Sequence, residues 1–155
     1  MSYLKSLTDY LTNNVSGKEK IQVWVESDTL EFSSAEPDNG LVSHQAINFV
    51  ISDVNVDANA LRMHVANWVI TYLPDFDGMG LPKPVLHIEP LEDGRFDVAG
   101  VIEVKETLMF EPDPNGVWQV DGQNMTIKSD FQEPDPLVSE LVTFDGVTQD
   151  TELNV

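Results

Sequence analysis

Between Asp57 and Pro74, one apolar stripe repeats with helical spacing. Leu61, Val65, Trp68 and Tyr72 fall at i, i+4, i+7 and i+11. Ala58, Val69 and Leu73 widen that stripe, so a helix from Ala58 to Leu73 lies flat across a sheet. Asp57 is its N-cap and Pro74 ends it, because proline has no N–H to continue the ladder. On both sides of this helix the period changes to two. Ile21, Val23 and Val25 alternate with Gln22, Trp24 and Glu26, and Asp28 to Phe32 continues the run. Ile47, Phe49 and Ile51 mark a second strand over about Ser43 to Val56, and Val85 to Ile88 a third. Phe96, Val98, Gly100, Ile102 and Val104 lie on a long strand reaching Phe110, with shorter strands at Val117 to Val120 and around Met125 and Ile127. Leu4, Leu7, Tyr10 and Leu11 add a short N-terminal helix with Ser2 as cap. Turn residues fill Ser33–Gly40, Glu92–Arg95 and a hairpin turn at Asp113–Gly116. The fold class is therefore α+β: an antiparallel or mixed sheet packed by one main helix and one short one, in a single domain.

Composition sets the function classes. The chain has 155 residues with 41% apolar content, enough for one modest core. It has no cysteine, which excludes disulfides, zinc–thiolate sites, iron–sulfur clusters and cysteine nucleophiles. Eight basic against 27 acidic residues give a formal net charge of −19, which argues against a nucleic-acid binder. No apolar run is long enough to span a bilayer, and the start lacks the apolar region of a signal peptide. The expectation is a soluble, intracellular, acidic domain. The acid is concentrated: Ile21–Leu61 holds seven carboxylates and no Lys or Arg, and so does Ser129–Val155. This is either a solvated surface or a negative face that meets a basic partner or lines a path for DNA.

Candidate chemistry is sparse. Asp53-Val54-Asn55-Val56-Asp57 imitates the start of a calcium loop, but Ala58 replaces the required glycine and His64 the closing glutamate. A strand end followed by a helix cap is the simpler reading. His44, His64 and His87 share no local metal-ligand spacing, although two strands could bring His44 and His87 together. No nucleophile elbow, phosphate loop or zinc-protease helix occurs. The expectation is no catalytic residue, no metal and no cofactor. Surplus apolar residues instead mark candidate interfaces: Phe76, Met79 and Leu81, which look exposed in the Pro- and Gly-rich stretch Asp75–Pro84, and Leu137, Leu141 and Phe144. The latter three lie in residues 133–155, which read as an acidic, Pro-containing C-terminal arm on a 1–132 domain.

The order of segments resembles a known family. The short helix leads to Ile21-Gln-Val-Trp-Val25, then Ile47-Asn-Phe-Val-Ile-Ser-Asp53, and a helix containing Ala66-Asn-Trp68. Phe96-Asp-Val98, Val104-Lys-Glu-Thr-Leu108, Val117-Trp118 and Glu-Pro-Asp-Pro at 133–136 follow. Over about residues 3–145 this is similar to the phage tail completion protein R family of contractile-tailed phages. The resemblance implies a tail-terminator-like virion assembly protein, without catalysis, at the head-proximal end of the tail. It implies a hexameric ring in contact with tube, sheath or neck proteins, through which DNA passes without specific binding. Such a protein resides in the virion tail and, during assembly, in the host cytoplasm. The alternatives are a small acidic adaptor or nucleic-acid-mimic inhibitor and, more remotely, a hydrolase with a carboxylate pair.

Overall fold

The computed structural model describes residues 2–134. Helix α1 spans Tyr3–Asn14, and Ser2 caps it by accepting the Lys5 N–H at 3.2 Å. Strands β1 (Ile21–Glu31) and β2 (Leu41–Val54) pair antiparallel and lead into α2 (Ala58–Tyr72). Asp57 accepts from the Asn59 and Ala60 N–H groups, filling the predicted cap. Then follow β3 (Val85–Pro90), β4 (Phe96–Pro112), β5 (Trp118–Val120) and β6 (Gln123–Ser129). All pairings are antiparallel, in the order β1-β2-β4-β6-β5, with β3 beside the first part of β4. Among the described residues no helix is long and apolar enough to cross a membrane.

Both helices lie on one face of this sheet. Ile47, Phe49 and Ile51 of β2 and Phe96, Val98, Ile102 and Val104 of β4 meet Leu61, Val65, Trp68 and Val69 of α2 and Leu7 and Leu11 of α1 in one core. The register sets Phe49 opposite Gly100. A Cβ on Gly100 would sit 2.2 Å from the Phe49 ring, so only glycine lets the ring lie across the strand. An aromatic group closes the far end of the helix layer. Trp68 stacks on Tyr72 at 5.4 Å, Tyr3 meets Trp68 edge-on at 6.3 Å, and Phe131 packs against Tyr3 at 4.7 Å and Tyr72 at 6.2 Å. Phe131 thus ties the chain beyond β6 to both helices.

Two bulges steer the sheet. In β1 the extra residue Glu26 shifts the phase, so that Leu30 shares the core-side face with Ile21, Val23 and Val25. In β2 the extra residue lies between Ile51 and Val54, where Asp53 takes a positive φ of 54°. The Asp97 carboxylate accepts its N–H at 2.8 Å, Arg95 donates to its carboxylate at 2.6 Å, and Lys20 lies 3.8 Å away. The carboxylate that began the calcium-like run therefore holds a bulge, and Asp57 caps a helix.

Two sequence expectations change, and one open possibility closes. The stretch Asp75–Pro84, read as irregular, contains a short 3-10 turn at Asp77–Met79. The turn at Asp113–Gly116 does not pair Val117–Val120 with β4. Instead β6 lies beside β4 and β5 lies outside it. The deciding element is Asp121-Gly122, both at positive φ (52° and 77°), which closes a tight two-residue hairpin between β5 and β6. Pairing opposite Lys105 and Ala99 on β4 places His44 and His87 six residues apart along that strand, so they do not converge.

A hydrogen-bond relay joins the two helices. Asn67 donates to the Tyr10 hydroxyl, which lies 2.9 Å from His64 Nδ1. One proton joins the hydroxyl to Nδ1, and the His64 tautomer sets which of the two donates it. Burial lowers the His64 pKa below its ordinary value of 6.5 and raises that of Tyr10. The unfolded chain therefore takes up the imidazole proton first on acidification. The stability that comes from burying His64 as a neutral ring is full above about pH 6.5 and falls as pH drops toward the folded-state pKa. A His64→Phe variant should show a shallower loss between pH 7 and 5 in urea titrations than the parent. Equal slopes would show that His64 burial does not set this pH dependence. Replacing the fully buried Trp68 by Ala should cost about 3–5 kcal/mol in the same titration, and an unchanged midpoint would contradict its place in the core.

Candidate functional site

The loop residues expected at an interface lie elsewhere. Phe76 and Leu81 are buried, each 8% exposed, and Met79 is half-buried against the same core. Their exposed appearance in the sequence is corrected by the 3-10 turn, which folds the apolar side chains under the end of α2. The Phe76 N–H bonds the Leu73 carbonyl at 3.0 Å and Met79 N–H that of Asp75 at 3.1 Å. The Lys105 ammonium donates to the Met79 carbonyl at 3.3 Å, fastening the loop to β4. Leu137, Leu141 and Phe144 lie outside the described residues.

An exposed apolar surface lies at the opposite end of the sheet. Alternation carries the core-side face of β2 outward through Gln45, Ser43 and Leu41, and that of β4 through Glu106, Leu108 and Phe110. Cross-strand pairing adds Leu30 from β1, Ile127 and Met125 from β6, and Trp118 from β5. Leu30, Leu41, Leu108, Phe110, Trp118 and Ile127 lie outside the core that the helices form with the sheet. Trp118 is 47% exposed, Leu30 52% and Phe32, just beyond β1, 69%. Phe110 and Trp118 pack with ring centroids 6.4 Å apart, so the patch has an ordered aromatic centre.

A polar row separates this patch from the core. Ser43, itself buried, donates to the Asp28 carboxylate at 2.6 Å and accepts from Gln45. Ser129 donates to Glu106 in a short hydrogen bond, and Asp130 accepts the Thr107 N–H at 2.9 Å. Burial, with Asp130 and Glu106 nearby, pushes the Tyr3 hydroxyl up to about 12, so it stays a neutral member of the aromatic group. On the other face of the sheet His44 lies 2.6 Å from Glu103 and 3.5 Å from Glu31. Among the described residues no three His, Asp or Glu side chains converge as a metal site. The geometry offers a contact surface. Sequence reasoning missed it because Leu30, Leu108, Phe110 and Trp118 sit on three strands and converge only through the register. Changing both Phe32 and Trp118 to Ser should leave the denaturation midpoint nearly unmoved, within about 0.5 kcal/mol per site, whereas Phe76→Ala should cost about 3–5 kcal/mol. Equal losses at both places would reverse this assignment of inside and outside.

No curated protein and no solved structure matches the chain. A family model does, that of the P2 phage tail completion protein R (GpR), over residues 1–127. That span takes in both helices, the core and all of the sheet but the last two residues of β6. The chain belongs to the P2 phage tail completion protein R family, structural proteins of phage tail assembly.

Proposed function

We propose that this protein completes the contractile tail at its head-proximal end as a closed ring of identical subunits, seated on the last tube ring. The coarser statement stands on family membership: the protein acts in tail assembly, in the virion tail, with other tail proteins as partners. The observation that carries the finer reading is the apolar sheet face left open beyond the helices, at Leu30, Phe32, Trp118 and Ile127. A patch of this kind needs a partner surface, and the role we propose for it is mechanical. Ring closure by head-to-tail contact needs two different complementary surfaces on each subunit. The open sheet face is available to tube or neck, and the 133–155 arm is the second contact. The excess of acid suits a channel for DNA, since basic side chains would hold the phosphates in transit.

Mass measurement of the purified chain, alone and with its tube protein, tests this reading. The expected species is a ring near six times the 17.3 kDa subunit, seen by electron microscopy at the end of the tube. A monomer under both conditions would overturn it. Truncation after Gln132 is expected to keep the melting temperature and lose the ring. Loss of several kcal/mol of stability on truncation would instead assign the arm to the domain's own core.

A further inference from the structure

The two flanks of α2 differ. One is closed by α1, through Tyr3 against Trp68 and the relay of Tyr10, His64 and Asn67. The other borders the connection to β3 and forms a groove of about 510 Å³. Its floor is apolar, with Val69 and Phe76 buried and Leu86 half-buried. Its rim carries Ile70, 69% exposed, and two of the chain's eight basic residues, Arg62 and Lys83. Arg62 donates to Asn59 at 2.7 Å, and Lys83 forms an exposed ion pair with Asp77 at 3.5 Å that an incoming carboxylate would share or displace. An apolar trough between two cations suits an apolar segment that carries carboxylates.

The chain's own C-terminal sequence has that chemistry. Residues 137–145 read Leu-Val-Ser-Glu-Leu-Val-Thr-Phe-Asp, five apolar residues with Glu140 and Asp145, and no Lys or Arg occurs from Ser129 onward. We propose that segment 137–145 of one subunit seats in the groove beside α2 of the next. Its apolar side chains meet the floor, and its two carboxylates face Arg62 and Lys83. This rests on the ring reading above and deepens it by naming one subunit–subunit contact.

The point of departure selects the neighbour over the same subunit. Phe131 holds the chain against Tyr3 and Tyr72, on the α1 flank. Then comes Glu133-Pro134-Asp135-Pro136. By sequence, the residue before each proline is biased to extended backbone, and four residues in that conformation would span about 12 Å with little bend. Entry into the subunit's own groove would require a turn around a helix roughly 10 Å across within this stiff stretch. Entry into a neighbour's groove requires none. An arm on one flank and a groove on the other are two different complementary patches, the requirement for a head-to-tail ring.

The absence of native cysteine makes the test clean. Ile70→Cys and Leu141→Cys are introduced separately, each in the full chain, then mixed and oxidised; a third protein carries both changes. The exposure of Ile70 makes its substitution tolerable to the fold. The expected result is an interchain disulfide in the mixture and a ladder of covalent multimers from the double variant, both collapsed by reductant. A fast-migrating monomeric disulfide from the double variant would place the arm in its own groove and overturn the proposal. A preparation that keeps the ring mass without cross-linking would overturn the groove assignment and leave the ring standing. A parent chain that stays monomeric with its tube protein present as well, and forms no cross-links, would remove both. Independently, Arg62→Glu with Lys83→Glu should weaken assembly at least tenfold, and Glu140→Lys with Asp145→Lys should restore it. Unchanged assembly in the Arg62/Lys83 pair would also count against the proposal.

Discussion

A mismatch of length between strands and helices governs this structure. A strand advances about 3.3 Å per residue and a helix 1.5 Å. The 14 residues of β2 and 17 of β4 therefore extend roughly twice as far as the 15 residues of α2. Two short helices on one side cover only the half of the sheet that holds Ile47–Ile51 and Phe96–Val104. The remainder keeps its alternation but has nothing of its own to bury against. Where cover ends, the chain inserts an aromatic plug, with Tyr3, Trp68, Tyr72 and Phe131 in mutual contact. The polar row of Ser43, Asp28, Glu106 and Ser129 then stops the core from continuing outward. A domain of this shape is stable at one end and ready for contact at the other.

The parts legible in the sequence are those whose signals are local. The stripe of Leu61, Val65, Trp68 and Tyr72, the Asp57 cap and the alternation on β2 and β4 each act within a few residues. The structure places those elements within one or two residues of expectation. The failures share a physical cause: each depended on where distant segments meet. Phe76 and Leu81 looked exposed because they stand among prolines and glycines, yet a single 3-10 turn tucks them into the core. The β5–β6 hairpin was written in Asp121-Gly122, a stronger two-residue turn than Asp113–Gly116, and that signal was passed over. The open face was invisible because a bulge at Glu26 is what brings Leu30 into line with Leu108 and Phe110. Of the six candidate interface residues, Leu137, Leu141 and Phe144 fall beyond residue 134.

The few basic residues are also placed with economy. Lys20 and Arg95 both serve Asp53 at the β2 bulge, and Lys105 pins the loop carbonyl of Met79. Arg62 and Lys83 flank the α2 groove. Each cation that fastens a bulge or loop is lost as a general counter-charge for the surface. The acid excess is therefore carried mostly by solvent, and at −19 per chain it opposes any association of like subunits.

That repulsion constrains how the proposed ring is held. Six such subunits in contact need local attraction strong enough to overcome a long-range penalty. The penalty is screened beyond roughly 8–10 Å at physiological ionic strength, whereas apolar burial is not weakened by salt. Assembly built on Leu30, Trp118 and the arm's leucines is then favoured as ionic strength rises. An ion-pair interface would respond in the opposite sense. The two cations at the groove act over a few ångströms, inside the screening length. They fix the register of the acidic segment more than they supply its affinity. A subunit that stays apart in dilute, low-salt solution and closes on a tube end where copies are crowded together is what this division between apolar grip and acidic repulsion favours.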